Sequence, residues 1–215
     1  MTDRVLFLIR HGRSDFEWAG ERWASARGDQ WNPPLSARGQ EQAALLAKRL
    51  LVMDLDPFVV YASPLRRASE TAAAFCRLAG AEVRLDDELV EAHIGEWEGM
   101  PFEEIIASDP EVVQHLRNQH AIWHRAPGAE REGAFRTRVR DAIDAVLDAH
   151  PEENVLIFAH GGVINAFVGD VLGLDQEMFF LPENTSLNSV EVNGERRSVR
   201  FLNDVLHLTD PDFFE

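Results

Sequence analysis

The sequence predicts an α/β protein, a three-layer sandwich in which helices cover both faces of a mainly parallel central sheet. Three apolar runs have the length of strands and lack polar alternation, as expected of strands buried on both faces. They are Val5–Ile9, Phe58–Ala62 and Val155–Ala159. Amphipathic helical patterns lie between them. Strands that alternate with helices are typical of parallel sheets, because parallel neighbours need a long crossover connection.

The first predicted strand ends abruptly in the polar turn Arg10–Ser14. The next segment, Phe16–Pro34, has the composition of a loop and contains Trp18, Trp23 and Trp31. A loop of this length either acts as a lid over a site or is pinned to the body by its tryptophans. Ser36 is a predicted N-cap. The apolar positions with helical spacing that follow it are Ala43, Leu46, Ala47 and Leu50.

The second strand leads into a predicted helix that begins with Ser63 as its N-cap and Pro64 in its first turn. This helix ends near Gly80, and a short strand is predicted at Glu82–Leu85. The segment Leu89–Gly99 is irregular. Helical patterns farther along the chain cover Glu103–Ala107, Glu111–Trp123 and Glu130–Ala149.

The third strand ends in His160-Gly161-Gly162 and is followed by a predicted helix through Val171. Leu187–Val192 and Arg197–Leu202 then flank the dipeptide Asn193-Gly194. Asn-Gly between two strand-like runs is the strongest short-range signal for a β-hairpin. The sheet is therefore expected to include an antiparallel hairpin.

Length and composition fit one domain spanning residues 1–215. The chain has 215 residues, 45% of them hydrophobic, which suffices for one core without disulfides or metal. The single cysteine, Cys76, excludes an internal disulfide and fits a reducing compartment. Because it follows Phe75 in a predicted helix, we interpret it as a core residue. The sequence has no signal-peptide pattern and no apolar run near the roughly 18 residues of a membrane span, so a cytoplasmic protein is expected.

The charge of the chain restricts its partners. Its formal net charge is −16, from 37 acidic and 21 basic residues. General affinity for nucleic acid or for anionic membranes rests on basic surface, so neither partner is expected. Any anion site must be a local positive pocket. The expected protein is a monomer or a homodimer that acts on a small molecule.

Polar groups follow all three predicted strands. They are Arg10-His11-Gly12, Ser63–Arg67 and His160-Gly161-Gly162. In open parallel sheets, ligands bind outside the carboxyl ends of the strands. If these strands are parallel, two imidazoles and at least two guanidinium groups converge on one edge.

The helix that follows Ser63 carries a further clue. Arg66 and Arg67 lie in its first turn, where the helix macrodipole disfavours a cation by roughly 0.3–1 kcal/mol. A bound anion reverses this preference, because free backbone N–H groups and guanidinium groups both bind phosphate. Gly161 and Gly162 likewise let the backbone approach a ligand closely at a helix start. The pattern therefore favours a phosphate site.

These residue types suit phosphoryl transfer. A neutral imidazole is a good nucleophile, and a histidine flanked by arginines can attack phosphorus and hold the phosphoryl group covalently. The arginines and a second, protonated histidine would stabilise the charge on the equatorial oxygens. The leaving alkoxide needs a proton from a carboxylic acid with a raised pKa. Glu91 is the best candidate for this acid, and Glu96 and Glu98 are alternatives.

The motifs resemble those of the histidine phosphatase superfamily, in the branch that includes cofactor-dependent phosphoglycerate mutase. The matching segments are Arg10-His11-Gly12, Leu35–Gly39 with Gln42-Ala43, Ser63–Ala68 with Thr71, Glu91 with Gly95 and Trp97–Gly99, and His160-Gly161-Gly162. The resemblance implies a phosphoglycerate mutase-like fold. It implies that His11 is the phosphorylated nucleophile and Glu91 the proton donor. It also implies that Arg10, Arg67 and His160 bind the phosphoryl group.

Further candidate substrate-binding residues lie beside these motifs. Gly12 and Ser14 belong to the turn that carries His11, and Gly161 follows His160. Arg13 offers a third guanidinium group, which could bind a second negative group on the substrate. Alternatively, Arg13 turns outward and pairs with a surface acid, a contact worth only about 0–1 kcal/mol. Both alternatives stay open.

Departures from the family pattern bear on the reaction. Arg13 stands where the family usually has an uncharged or acidic residue, and Glu17 stands where mutases have asparagine. Phe102–Pro127 replaces the basic, proline-rich segment of mutases. We therefore predict a metal-independent phosphomonoesterase that needs no cofactor. The alternatives are a mutase-like isomerase and a non-catalytic protein that binds a phosphorylated ligand on the same fold.

Three further histidines, His115, His120 and His124, lie in the segment after Phe102. The last two are spaced as a metal pair on one helix face would be. The sequence offers no third ligand, and the chemistry requires none. We interpret all three as rim or surface residues.

Overall fold

The computed structural model describes residues 4–25, 28–118, 122–176 and 178–210. Its strands are β1 (Arg4–Arg10), β2 (Phe58–Ala62), β3 (Val83–Leu85), β4 (Asn154–Ala159), β5 (Leu187–Asn193) and β6 (Arg196–Asp204). They form a six-stranded sheet in the order β3-β2-β4-β1-β5-β6. The pairs among β1 to β4 are parallel, whereas β5 runs antiparallel to β1 and β6. The predicted mainly parallel sheet and its hairpin are confirmed.

Helices connect these strands. The α-helices in the described ranges are α1 (Ala37–Leu51), α2 (Arg66–Ala79), α3 (Phe102–Ser108), α4 (Val112–Arg117), α5 (Glu132–Ala149), α6 (Gly161–Leu172) and α7 (Leu206–Thr209). Short 3₁₀ helices lie at Asp87–Leu89, Gly95–Trp97 and Trp123–Arg125. Within these ranges, we find no helix with the length and apolar character that crossing a membrane requires.

Alternate residues of β1 pack against different helical layers, as the pleat of a strand requires. Leu6 and Leu8 belong to the core on one face of the sheet, together with residues of α5 and α6. Phe7 and Ile9 belong to the core on the other face, where α1 and α2 pack and where Cys76 is buried. The sheet therefore lies between two helical layers. The three-layer sandwich and the interpretation of Cys76 as a core residue are confirmed.

Local sequence signals at the start of α1 and in the hairpin act as predicted. Oγ of Ser36 accepts a hydrogen bond from the backbone N–H of Gly39 over 3.1 Å. This bond satisfies one of the N–H groups that the first helical turn leaves without a partner. Gly194, between β5 and β6, has a φ of 60°. Glycine adopts this conformation without steric cost, which explains why the hairpin turns there.

The prediction that α2 begins at Pro64 with Ser63 as its N-cap is wrong. The helix begins at Arg66, and Leu65 occupies the N-cap position. Ser63 is fully buried, and its Oγ lies 2.8 Å from Nε2 of His160. His160 follows β4, the strand next to β2, and this pairing places its imidazole beside Ser63. The hydroxyl of Ser63 therefore contacts a residue distant in sequence instead of capping α2.

The predicted helix Glu111–Trp123 is also wrong in its extent. Helix α4 ends at Arg117, residues 119–121 lie outside the described ranges, and Trp123 begins a 3₁₀ helix. The side chain of Trp123 is buried against Phe135, with ring centres 5.7 Å apart. Helical periodicity in the local sequence cannot reveal this contact with α5, which is why it overextends the helix.

Candidate active site

The polar segments that follow β1, β2 and β4 meet at one edge of the sheet. The backbone N–H of His11 donates to the carbonyl of Ala159 over 3.0 Å. That of Ser63 donates to the carbonyl of Phe158, also over 3.0 Å. These bonds extend the parallel ladders, so the three segments leave the sheet side by side. The ring centres of His11 and His160 are 5.2 Å apart, in agreement with the predicted convergence.

The surroundings of His11 fix its tautomer. Its side chain is only 8% exposed, and Nδ1 lies 2.7 Å from the carbonyl oxygen of Gly12. Because a carbonyl oxygen only accepts, Nδ1 carries the proton, and Nε2 of the neutral ring keeps its lone pair. Burial, reinforced by the guanidinium groups of Arg67 and Arg10, lowers the pKa of His11 well below its ordinary value of 6.5. His11 therefore presents a neutral, nucleophilic nitrogen at pH 7.

His160 is fully buried next to Ser63. Its Nδ1 has no hydrogen-bond partner among the described residues. Burial, together with nearby positive groups of which Arg67 has the largest effect, lowers the pKa of His160 well below its ordinary value. This shift disfavours the expected protonated state of His160, because its charge would be buried beside guanidinium groups. A bound anion would offset that repulsion.

The arginines of the site have different partners. Arg10 donates from Nη1 to the carbonyl of Pro182, and its Nε has no partner among the described residues. Arg67 donates from Nη1 to the carbonyl of Trp31 over 3.2 Å. Burial lowers the pKa of Arg67 to about 10. Arg67 therefore remains charged at pH 7, beside the buried imidazoles.

Arg66, the other arginine in the first turn of α2, belongs to a different environment. Its Nη2 lies 3.0 Å from Oε1 of Glu70, and its guanidinium group lies 4.9 Å from the ring centre of Trp18. A cation over an indole face is a favourable contact. Of the two neighbouring arginines, only Arg67 contributes charge next to the histidines, as the family resemblance implies.

Two backbone N–H groups hold the carboxyl group of Glu91. Its Oε2 accepts from Gly162 over 2.9 Å, and its Oε1 accepts from Ala92 over 3.0 Å. Burial raises the pKa of Glu91, although these hydrogen bonds and the nearby arginines oppose the shift. A carboxyl group with a raised pKa can keep a proton for a leaving group. The position of Glu91 and the direction of its pKa shift suit a general acid.

The two alternative acids are placed differently. Glu96 is exposed. Glu98 uses both of its oxygens elsewhere: Oε1 accepts from the N–H of Ile94 over 3.0 Å, and Oε2 accepts from the N–H of Trp31 over 2.9 Å. Of the three glutamates, Glu91 is the one bonded to the turn after His160.

Gly162 lies against the carboxyl group of Glu91. A Cβ at this position would be 2.3 Å from Oε1 of Glu91, so the carboxyl group would have to move. We expect Gly162→Ala to lower kcat/KM for phosphate monoesters by at least about tenfold, or roughly 1.4 kcal/mol of transition-state stabilisation. The matched control is Gly169→Ala in the same helix, where the nearest atom to the new Cβ is 3.5 Å away. Equal activity of the two variants would contradict the importance of this contact.

A sequence model of the histidine phosphatase superfamily (branch 1) matches residues 6–205. The chain belongs to this superfamily.

Relatives in the histidine phosphatase superfamily include named phosphatases. The chain is 30% identical over 206 residues to phosphoserine phosphatase 1 of Hydrogenobacter thermophilus, covering 94% of this chain and 93% of the relative. It is 26% identical over 211 residues to the metal-independent phosphoserine phosphatase of Arabidopsis thaliana, covering 98% and 85%. The native structure of a mycobacterial glucosyl-3-phosphoglycerate phosphatase superposes with a TM-score of 0.77 and 26% identity, covering 94% of this chain and 99% of that chain. The predicted family and fold are confirmed.

Three other predicted site residues lie close in sequence to the two histidines: Gly12 and Ser14 follow His11, and Gly161 follows His160. The N–H of Gly12 donates to Oγ1 of Thr71 over 3.0 Å. Ser14 is buried and forms an isolated antiparallel bridge with Leu35. Gly161 is the first residue of α6, directly after His160. Contacts of Gly12, Ser14 and Gly161 with a substrate stay predictions.

Arg13 is anchored by its backbone. Its N–H donates to Oε1 of Gln42 over 2.9 Å, and its carbonyl accepts from the N–H of Ser36 over 2.9 Å. The residue as a whole is exposed. This placement favours the alternative in which the Arg13 side chain faces outward.

The segment that precedes β5 contacts the turn that carries His11, although none of its residues was among the predicted site residues. Nδ2 of Asn184 donates to the carbonyl of His11 over 2.9 Å, and the N–H of Thr185 donates to the carbonyl of Arg10 over 3.0 Å. Thr185 has a φ of 61°, an uncommon conformation for a residue other than glycine. This segment therefore fixes the turn that carries His11. Its run of short polar residues is the only sequence signal, and it does not show which strand the segment contacts.

The tryptophan-containing loop Phe16–Pro34 is attached to the body of the protein. The N–H of Trp31 donates to the buried carboxylate of Glu98. Nε2 of Gln30 donates to the carbonyl of Glu91 over 2.9 Å. These contacts agree with the alternative in which the loop packs against the body.

The three histidines considered as metal ligands do not gather in the described ranges. Nε2 of His115 lies 2.9 Å from Nη1 of Arg125. His120 lies outside the described residues, so the pair with His124 stays untested. Among the residues that the structure describes, no group of three or more His, Cys, Asp or Glu side chains is arranged to hold a metal ion.

Proposed function

We propose that this protein hydrolyses phosphate monoesters through a covalent phosphohistidine on His11, with Glu91 as the proton donor. The observation that carries this proposal is the pairing of opposite protonation preferences at one site. The pKa of His11 is lowered, so its nitrogen stays free to attack. The pKa of Glu91 is raised, so its carboxyl group tends to keep a proton. Groups whose environments move their pKa values in these directions suit a nucleophile and a general acid.

In the first step, the lone pair on Nε2 of His11 attacks phosphorus. The N–P bond forms while the bond between phosphorus and the alcohol oxygen breaks. The electrons of the broken bond go to the alcohol oxygen, which takes the proton of Glu91 and leaves as the neutral alcohol. The enzyme then holds a phosphohistidine and a Glu91 carboxylate.

In the second step, water attacks the phosphohistidine from the side that the alcohol has left. The carboxylate of Glu91 takes a proton from the water as the new P–O bond forms. The electrons of the N–P bond return to Nε2 of His11, and inorganic phosphate leaves. The site regains its starting protonation, so the net reaction is hydrolysis.

Positive charge and free N–H groups stabilise the phosphoryl group during both steps. Arg10 and Arg67 face the negative charge of its oxygens, and Arg10 has an N–H at Nε without a partner among the described residues. His160 offers Nδ1, which is likewise unpartnered there. Its hydrogen is available if the hydroxyl of Ser63 donates to Nε2. Gly161 begins α6, where free backbone N–H groups favour an anion.

A hydrolase, a mutase and a non-catalytic binding protein differ in what they do with the phosphoryl group. The named phosphatases among the relatives support hydrolysis of small phosphorylated substrates. The test is phosphate release from p-nitrophenyl phosphate, together with interconversion of 2- and 3-phosphoglycerate. We expect steady phosphate release and no interconversion. Interconversion would support the mutase alternative, and inactivity towards both would support the binding protein.

Metal ions are not needed for the proposed chemistry. Arg10 and Arg67 already supply the positive charge that a metal ion supplies in other phosphatases, and one relative is named as metal-independent. We therefore expect EDTA to leave the rate of phosphate release unchanged. Loss of activity in EDTA that added Mg²⁺ or Zn²⁺ restores would contradict this account of the site.

A further inference from the structure

A cavity of about 420 Å³ opens beside Arg67 and Glu91. This is the size of a small-molecule pocket. Most of its walls are aromatic or aliphatic side chains: Phe16, Trp31, Ile94, Trp97, Met100 and Phe102. Because the cavity adjoins the proposed proton donor, it receives the part of the substrate that leaves as the alcohol.

Two of the aromatic walls are exposed at the protein surface. Phe16 is 70% exposed and Phe102 is 48% exposed, and the ring centre of Phe16 lies 5.9 Å from that of Trp31. Exposed aromatic side chains that border one cavity mark a binding surface. Such rings bind flat, apolar groups by burial and by ring–ring contact.

The charge of the cavity wall disfavours an anionic alcohol group. Among the described lining residues, Arg67 is the one cation, and it lies in the phosphate-binding part of the site. The other titratable lining residues are Glu91 and Glu98, whose carboxyl groups offer a substrate carboxylate no positive partner. A substrate carboxylate, as in phosphoserine, would therefore face carboxyl groups in a largely apolar cavity. Burying a charge without a partner is costly.

One polar group of the wall lacks a partner. Gln30 lines the cavity and is only 2% exposed. Its Nε2 donates to the carbonyl of Glu91, which fixes the orientation of the amide because a carbonyl oxygen cannot donate. Its Oε1 is buried and has no hydrogen-bond partner among the described residues. A buried acceptor of this kind is satisfied by a ligand that brings a hydroxyl or amide N–H.

We infer that the substrate is a phosphate monoester of an uncharged, ring-bearing alcohol whose hydrogen-bond donor reaches Oε1 of Gln30. The aromatic walls bind the ring, and the amide of Gln30 selects substrates that carry the donor. This inference rests on the proposed function, since it assigns the alcohol that the hydrolysis releases. Sites built to hydrogen-bond a substrate group reject analogues that lack it.

The first experiment compares three alkyl phosphates whose leaving groups have similar reactivity. They are 2-phenylethyl phosphate, ethyl phosphate and phosphoserine. We expect kcat/KM for 2-phenylethyl phosphate to exceed both others by at least about tenfold. Phosphoserine cleaved as well as, or better than, the phenylethyl ester would overturn the inference and leave the proposed hydrolysis intact. No phosphate release from any of the three would instead refute the proposed function.

A variant tests the aromatic wall. Phe102→Ala is expected to lower the ratio of kcat/KM for 2-phenylethyl phosphate to that for ethyl phosphate by about fivefold. The matched control is Leu78→Ala, because Leu78 is similarly exposed (55% against 48%) and lies on α2 outside the cavity lining. The control should keep the wild-type ratio. If the two variants have the same kcat/KM ratio, Phe102 does not contribute to binding the ring of the substrate.

Gln30 is tested with substrates that differ in one donor. The 3- and 4-hydroxymethyl derivatives of 2-phenylethyl phosphate are compared with the ethyl derivatives of the same shape. We expect at least one hydroxymethyl isomer to be preferred by about tenfold or more. We also expect Gln30→Leu to remove this preference. The preference is a ratio within one enzyme, so it cancels any general effect on Glu91 of losing the Gln30 amide. No preference in the wild-type enzyme, or a preference that Gln30→Leu retains, would overturn the role of Gln30.

Discussion

Replacing His11 by alanine is expected to lower kcat/KM for phosphate monoesters by a factor on the order of 10⁴ or more. The variant loses Nε2, the atom that we propose to form the bond to phosphorus. It should also lose the covalent intermediate. Quenching the wild-type enzyme during turnover of a radiolabelled phosphate ester should trap an acid-labile, base-stable phosphoryl group, as expected of a phosphoramidate. The His11→Ala protein should carry no such label.

Two further variants separate nucleophilicity from folding. His11→Asn keeps a side-chain N–H for the carbonyl of Gly12 and removes the nucleophilic nitrogen, so it should be as inactive as His11→Ala while its thermal unfolding changes less. His150 is as buried as His11, 8% exposed in each case, and precedes the amino end of β4, away from the site. His150→Asn should therefore retain both label and turnover. Label that persists in the His11 variants would refute the assignment of the nucleophile.

Replacing Glu91 by glutamine is expected to lower kcat/KM for alkyl phosphates by about 10²–10⁴-fold. An alkoxide is a poor leaving group and needs the proton of Glu91 as the P–O bond breaks. For p-nitrophenyl phosphate the loss should be much smaller, because p-nitrophenolate is stable as an anion. A purely structural role of Glu91 would lower the rates of both substrates equally. The ratio of the two losses is therefore the measurement that tests general-acid catalysis.

The pH dependence gives an independent test of Glu91. Its raised pKa means that the carboxyl group stays protonated to higher pH than an ordinary glutamate does. Activity should therefore fall as the pH rises through this raised pKa. The lowered pKa of His11 means that protonation of the nucleophile should reduce activity only well below pH 6.5. In Glu91→Gln the alkaline decrease should disappear, while the acid decrease remains.

Glu98 provides the matched control for this substitution. Each of its oxygens also accepts a hydrogen bond from a backbone N–H group, as those of Glu91 do. Glu98→Gln therefore imposes a similar loss of backbone contacts without removing the proposed acid. It should keep the alkaline decrease in kcat/KM. If Glu98→Gln abolishes that decrease and Glu91→Gln does not, the proton donor has been assigned to the wrong glutamate.

Local sequence determined the strands and the position of the site along the chain. The apolar runs before Arg10 and His160 end abruptly in polar, glycine-containing turns, and this change is visible without any knowledge of the fold. Parallel pairing then places the carboxyl ends of the strands at one edge by topology alone. The capping hydroxyl of Ser36 and the hairpin at Gly194 were predictable for the same reason, since each depends on neighbours a few residues away.

Tertiary structure alone decided the features that depend on distant residues. Ser63 binds His160 rather than capping α2, because β4 pairs with β2. The lowered pKa of His160 follows from its burial beside guanidinium groups, and no local pattern reports burial. The choice of Glu91 over its neighbours depends on the approach of Gly162 from a different part of the chain.

The wall of the cavity beside Glu91 also depends on contacts between distant residues. Gln30 and Phe102 come from segments whose sequences indicate only a loop and a helix start. They line one cavity because the loop that holds Gln30 is bonded to the backbone of Glu91. Local motifs were therefore enough to predict the family, the sheet and the polar segments that meet at one of its edges. The lining of the cavity beside Glu91 depends on long-range packing, because the same residue types in another arrangement would present a different surface.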